Sequence, residues 1–490
     1  MPSQIPKEEI NAAYQKIMEL SEYLPASVTR YLEKEVIGYV SQGAIHSYML
    51  NFLKTYASVL SEFNEIPEYA NEEIQELSRE SVKFLDAYEY EKKIGHDVRG
   101  LVRACQDKLS EKAKSFIYLG LTSYDVVNTA QSAALRDFGK ELMIPAGIEF
   151  TRSLIKRLED TELKDAVMMG RTHKQHATAT TFGHWVGEIL EGFMPPLLKY
   201  NQSIDNLRGK ASGFVGTNAA KRLLFKIHPN EIDERLFQKL DLKKDIITGQ
   251  VVHQYFYEDY FLQLFMTCYG LAKFAEDIRN YQQTEIAEMV DKKIKEDEVG
   301  SSTGSHKINP KTAEQISGGR IRQLTGQVIA SFADMTTDFQ RDLRDSMNKR
   351  YYMFEIPNIS HGMMKKSNEI ANEMTVRKDK MLQNIGLTQG LICAEPLQNY
   401  LQKWIGFNSD KFVDAHDYVM RLSKKSLRET IPFLELILND ELIQKALEDA
   451  TPEQREQILN PEKYIGTCIE DMKEGIERWE KQLYELENSL

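Results

Sequence analysis

Phe261, Leu264, Phe265, Cys268, Leu271 and Phe274 recur at steps of three and four residues. That spacing lays one apolar stripe along a helix and predicts a helix through this stretch. Leu101, Ala104, Cys105 and Leu109 repeat the pattern over a shorter run. Period-two alternation bounded by turn residues is nearly absent, so strands are not expected. The chain reads as all-α.

Breakers divide this helical pattern unevenly. From about Thr122 to Ser367, stretches of helix length run with few interruptions. Long helices with one apolar face need partners, which predicts a central bundle. Before Thr122 the segments are shorter, broken near Pro25, Asn64-Glu65-Ile66-Pro67 and Gly95. After about Arg377 short amphipathic segments return, with breaks at Gly406-Phe407-Asn408 and Thr451-Pro452. The expected division is an N-terminal helical domain (1–121), a central helical bundle (122–376) and a C-terminal helical domain (377–490).

Composition narrows the class. The 490 residues include 27 glycines and 14 prolines, below the usual ~7% and ~5%, which fits long elements. With 42% hydrophobic and 28% charged residues the chain is globular rather than disordered. A net charge of −12 argues against nucleic acid or an anionic membrane as partner. It leaves room for a small anion in a locally basic pocket. No run of ~18 apolar residues marks a membrane span. The N-terminus MPSQIPKEEINAAYQKIMEL lacks the apolar core of a signal peptide. Cys105, Cys268, Cys393 and Cys468 lie far apart, suiting neither a zinc framework nor a disulfide lattice. A cytoplasmic protein is expected.

The run Gly300-Ser301-Ser302-Thr303-Gly304-Ser305-His306-Lys307-Ile308-Asn309-Pro310 holds the most concentrated candidate chemistry. Asn309 is expected to cap a helix and Pro310 to occupy its first position. Free N–H groups there, with Lys307 beside them, favour an anion. A serine on a loop next to an anion site suits proton abstraction beside a carboxylate. Three more segments stand out: Gly95-His96-Asp97-Val98 at a helix start, Gly120-Leu121-Thr122-Ser123-Tyr124-Asp125 with Thr122 or Ser123 as N-cap, and Gly170-Arg171-Thr172-His173-Lys174-Gln175-His176. The paired histidines of the last have no Cys or carboxylate at ligand spacing, so no metal is expected.

Together these segments resemble the fumarase/aspartase superfamily and, within it, the adenylosuccinate lyase family, over nearly the whole chain. Gly300-Ser301-Ser302 with Lys307, Asn309 and Pro310 is similar to the superfamily's signature loop. Thr122-Ser123 with Asp125, and Arg171-Thr172-His173 with Gln175, are similar to two further motifs. His96-Asp97-Val98, Arg30-Tyr31, and the stretch from Gln340-Arg341-Asp342 through Ser346 to Arg350 resemble segments of adenylosuccinate lyases specifically.

The resemblance implies an elimination that releases fumarate, needing a base, an acid and stabilisation of a dianionic carbanion. It places the base at Ser301 and the acid at His173. Lys307 and Asn309 would hold the succinyl carboxylate, and Glu314 would orient a histidine. Arg30, Tyr31, His96, Asp97, Thr122, Ser123, Gln250, Arg341, Ser346 and Arg350 would bind substrate. It implies no metal or organic cofactor, and a homotetramer whose active sites draw on several subunits.

The chain departs from the family pattern in three places. Gly304-Ser305 stands where the loop usually has Met-Pro, which makes closure costlier by on the order of 1 kcal/mol. Lys174, His176 and Ala179 replace a Gly and two prolines. His253-Gln254-Tyr255 follows Gln250 where Arg-Asp is common. Two alternatives stand beside the main reading: another fumarate-releasing member, of argininosuccinate lyase or carboxymuconate cycloisomerase type, and a catalytically silent structural homologue.

Overall fold

A computed structural model describes residues 5–292, 299–404 and 412–490; the break expected at Gly406-Phe407-Asn408 lies outside them. Helices dominate, as the three- and four-residue spacing requires. Those that position the site are α1 (Gln42–Glu62), α2 (Asp97–Gln106), α3 (Ser123–Phe138), α4 (Ile144–Arg157), α5 (Phe182–Ile204), α6 (Tyr255–Tyr281), α7 (Ile321–Phe332), α8 (Arg344–Glu373), α9 (Lys378–Gly386) and α10 (Cys468–Glu487). Shorter helices and turns connect them.

α6 is the helix predicted from residues 261–274, and Phe261, Leu264, Cys268, Leu271 and Phe274 are all fully buried on it. It packs against α5, α7 and α8, while α8 also packs on α4, so a bundle forms around one apolar core. Phe150 of α4 meets Phe193 of α5 and Phe274 of α6 edge-on, at centroid distances of 4.8 and 5.2 Å. Each such buried ring contributes about 1.5–3 kcal/mol of transfer free energy. α10 returns to this core through Met472, Trp479 and Leu483. A second core joins α1 and α2 to the helix Pro229–Leu240, and a third fills residues 393–458.

Strands form where none were expected: besides two pairs of two-residue strands, Arg208-Gly209 with Lys243-Lys244 and Met289-Val290 with Thr375-Val376, there is one longer hairpin among the described residues. Residues β1 (Val167–Thr172) and β2 (Gln175–Thr181) form an antiparallel hairpin, with Arg171 opposite His176 and Thr172 opposite Gln175. Arg171, Thr172, Gln175, His176, Thr178 and Thr180 put polar groups on both faces, so no apolar alternation marks the strands. The two-residue turn is His173-Lys174, with φ of +51° and +62°, as a primed hairpin turn demands. Among the described residues no helix is long and apolar enough to cross a membrane. All four cysteines are buried and free.

Candidate functional site

α3 starts at Thr122, whose backbone N–H donates to Asp125 Oδ2 at 2.9 Å, so Thr122 rather than Ser123 is the cap. Next in the chain, Tyr124 presents its ring to Arg341, whose guanidinium carbon lies 3.4 Å from the ring centroid. Arg341 Nη1 donates to Gln250 Oε1 at 3.1 Å. Ser346 and Arg350, one turn apart on α8, are bonded through Arg350 Nη1 to Ser346 Oγ at 2.9 Å. Arg350 Nη2 reaches Asp97 Oδ2 at 3.3 Å. His96 caps α2, its Nδ1 accepting the Arg99 N–H at 3.4 Å. The fold therefore draws His96, Asp97, Ser123, Gln250, Arg341, Ser346 and Arg350 into one neighbourhood.

Asp97, Tyr124, Ser346 and Arg350 line a cavity of about 300 Å³ whose other walls include Met49, Phe84, Tyr88 and Met353. An exposed arginine beside a hydroxyl matches a phosphate or carboxylate, since its planar fork donates two parallel bonds. Beneath the pair lies Lys349, buried, with Nζ donating to Gln254 Oε1 at 3.0 Å. Burial pushes its ammonium pKa down and the Asp345 carboxyl pKa up, and the two charges oppose those shifts in each other.

A loop that the sequence reading passed over closes this neighbourhood. Gly213 N–H donates to the Asp125 carboxylate at 3.2 Å, and the buried Lys210 ammonium pairs with Asp125. Ser212 Oγ lies 2.6 Å from Thr248 Oγ1. Gly216, at φ +79°, runs so close to the Thr248 carbonyl that any Cβ would overlap it. The signal was present: three glycines, Ser212 and Thr217 fall within residues 209–217, the same kind of composition that marks 300–310.

Around Ser301 the structure corrects three expectations. Asn309 does not cap; its Nδ2 donates to Gly300 O at 3.0 Å and closes the loop on itself. The helix begins at Lys311, with Pro310 outside it at ψ +62°. Nor is that helix start open to an external anion, because Thr312 N–H already donates to the buried Asp291 carboxylate at 3.2 Å. The chain supplies its own anion there. Ser301 Oγ accepts two backbone N–H bonds, from Gly304 at 3.1 Å and Thr303 at 3.4 Å. Donors aimed at a hydroxyl oxygen favour its deprotonated form.

His173 is exposed at the hairpin tip, roughly 17 Å of strand from its base. The hairpin is anchored only two residues before this tip, where Arg171 meets the fully buried Glu288 in two bonds of 2.7 and 3.0 Å, and Asn384 of α9 donates to the same carboxylate at 2.7 Å. Lys307 and Glu314 are exposed. Among the described residues, no side-chain hydrogen bond or ion pair joins His173, Ser301, Lys307 or Glu314 to one another or to the cluster around Arg350. Arg30 is exposed, and Tyr31 O accepts from Asn358 Nδ2 at 3.2 Å. Asn358 lies two turns past Arg350 on α8, about 12 Å along the axis. Among the described residues no group of three His, Cys, Asp or Glu could hold a metal.

Comparison with known proteins adds to this geometry. The lyase family matches residues 27–329. The chain is 31% identical to the adenylosuccinate lyase of Pyrococcus horikoshii over 88% of its own length and 92% of the relative's. It is also 31% identical to the adenylosuccinate lyase of Bacillus subtilis, covering 73% and 80%. The fold is shared with the 3-carboxy-cis,cis-muconate lactonizing enzyme of Pseudomonas putida, with a TM-score of 0.77, 20% identity and coverage of 92% and 98%. A fumarate lyase of Mesorhizobium gives a TM-score of 0.78 at 19% identity, covering 91% and 98%. At such identities these two structures speak for the fold alone. The relatives and the family match go further: the chain is a lyase and belongs to the adenylosuccinate lyase family of the fumarase/aspartase superfamily.

Proposed function

We propose that the chain cleaves adenylosuccinate to AMP and fumarate, and by the same elimination splits the succinylated aminoimidazole carboxamide ribotide of purine synthesis. The observation that carries this reading is the Arg350–Ser346 pair at the cavity mouth, with Arg341 and Gln250 beside it. That arrangement suits the nucleotide phosphate, and the 31% identity to adenylosuccinate lyases supports it over an argininosuccinate or carboxymuconate enzyme, whose substrates offer carboxylates but no phosphate.

In the proposed reaction Ser301 removes the proton from the succinyl Cβ. The two N–H donors on its Oγ support the alkoxide that this requires. Lys307 and Asn309 hold the carboxylate where charge accumulates. Because Asn309 Nδ2 is bonded to Gly300 O, taking up the carboxylate means exchanging that bond, which couples binding to loop rearrangement. As the C–N bond breaks, His173 delivers a proton to the departing nitrogen, with Glu314 orienting a histidine. Arg30, Tyr31, His96, Asp97, Thr122, Ser123, Gln250, Arg341, Ser346 and Arg350 hold the nucleotide. Acid, base and fixed charge suffice for this chemistry.

Assembly belongs to the same proposal: a cytoplasmic homotetramer with shared active sites. Tyr255, Leu262, Met266 and Tyr269 form an exposed stripe on α6, and Leu343, Met347 and Tyr351 lie exposed at the N-cap and in the first turns of α8. Apolar faces of this extent on a bundle are what copies of the chain would bury. The proposed division at 121/122 and 376/377 describes order along the chain rather than separate cores, since the helix Pro229–Leu240 packs with the N-terminal helices and α10 with the central bundle.

The test is direct. Purified protein incubated with adenylosuccinate should yield AMP and fumarate in equal amounts, while argininosuccinate stays intact. Cleavage of argininosuccinate, or no turnover of adenylosuccinate, contradicts the proposal.

A further inference from the structure

Arg320 is buried, charged and unused by the reaction above. It ends the π-helical turn Gln315–Arg320, which follows the loop bearing Ser301 and leads into α7. Its Nη2 donates to Glu33 Oε1 at 2.7 Å, with the two side chains only 8% and 11% exposed. The same guanidinium lies 6.0 Å from the centroid of the Tyr31 ring. Glu33 belongs to the extended strap that follows the short helix Ala26–Tyr31.

Two residues of α8 complete the arrangement. Asn358 uses both ends of its amide on the strap: Oδ1 accepts the Glu33 N–H at 2.8 Å, and Nδ2 donates to Tyr31 O at 3.2 Å. Four residues on, Gly362 leaves the gap through which the Arg320–Glu33 pair passes. A Cβ at 362 would fall on the Arg320 guanidinium and against Glu33 Oε1. Lys365, on the same face, reaches Glu33 Oε2 at 3.5 Å. Every buried bond of the strap thus points inward, while Arg30 and Tyr31, which precede it at the end of the helix Ala26–Tyr31, remain exposed.

A buried arginine–carboxylate pair is a poor way to gain stability alone, because desolvation consumes most of the attraction. What it does provide is a fixed geometry. We propose that Arg320, working with Asn358 and Gly362, is a positioning residue: it clamps the strap so that Arg30 and Tyr31 are presented to the nucleotide. The inference rests on the reading of Arg30 and Tyr31 as nucleotide contacts. It also gives the strap a rigid connection to the helix that follows the Ser301 loop.

Because Arg320 acts through the strap, its effect belongs on substrate binding and depends on Arg30. Steady-state kinetics on adenylosuccinate with Arg320→Met should show KM raised about tenfold and kcat within about twofold. In the Arg30→Ala background, Arg320→Met should add little further rise in KM, since the group it positions is gone. Arg320→Lys, which keeps the charge opposite Glu33, should recover part of the loss. Should Arg320→Met not fold, Gly362→Ala keeps both charges, displaces the guanidinium and carries the same expectation. An unchanged KM in Arg320→Met or Gly362→Ala overturns the clamp. So do effects of Arg30→Ala and Arg320→Met that multiply, as a merely structural role would give. A raised KM in Arg30→Ala alone, beside wild-type turnover in the same assay, separates this failure from failure of the nucleotide reading.

Discussion

His173 and Lys174 both hold positive φ, and both carry side chains, so the hairpin that delivers the proposed acid is built on a turn that L-residues adopt reluctantly. Ala287 and Phe339 share this feature, one residue before Glu288 and Gln340 respectively. Among the described residues Asn64, Asn218, Asp241, Gln389 and Thr430 do the same, so such backbone is spread over the turns of the chain rather than confined to the site. For Lys174 the strain is separable from chemistry, because its side chain is exposed and makes no hydrogen bond among the described residues. Lys174→Gly should therefore raise stability by about 0.5–1 kcal/mol in thermal or denaturant unfolding. A loss of stability would mean that the lysine makes a contact absent from the single chain.

At the scale of elements, α6 was legible because Phe261 through Phe274 keep strict helical spacing, and five of those six residues are fully buried, with Phe265 partly so. The hairpin was not, since polar residues on both faces erase the period-two signal. Local caps such as Thr122 could be read, because cap and partner lie three residues apart. Asp291 could not be foreseen at Thr312, nor Lys210 at Asp125, because those pairs are set by tertiary packing rather than spacing.

His46 is a further product of such packing. It sits in α1 with both ring nitrogens buried and unpartnered, its ring 5.8 Å from Phe84 in an edge contact. Burial, helped by the nearby Arg79 charge, pushes its pKa down to about 4. The unfolded chain takes up a proton near pH 6.5 and the folded one only near 4, so acid favours unfolding across that interval. Between pH 7 and 5 the wild type should lose on the order of 2 kcal/mol through this residue. His46→Leu should lose correspondingly less over the same range in urea unfolding. An identical pH dependence in both proteins would show that His46 titrates normally.

At the scale of the whole molecule, the proposed catalytic and binding groups lie in separate places on one chain. The groups proposed to hold the nucleotide converge from segments as distant as Asp97 and Arg350, yet His173 and Ser301 stand apart from them on a hairpin tip and a loop. The sequence named these groups through their motifs, but motifs do not say which copy of the chain brings each to a given site. Exposed apolar faces on α6 and α8 supply the surface on which copies can meet.

The central claim, that a working site combines Ser301 and His173 from different chains, is tested by mixing two inactive variants. Ser301→Ala and His173→Ala should each be nearly dead as pure assemblies. Dissociating and reassociating an equal mixture, with subunit exchange verified by mass, should restore roughly one quarter of the sites, because each group is intact half the time and independently. Mixed assemblies as inactive as their parents would contradict the shared site and place both groups on one chain.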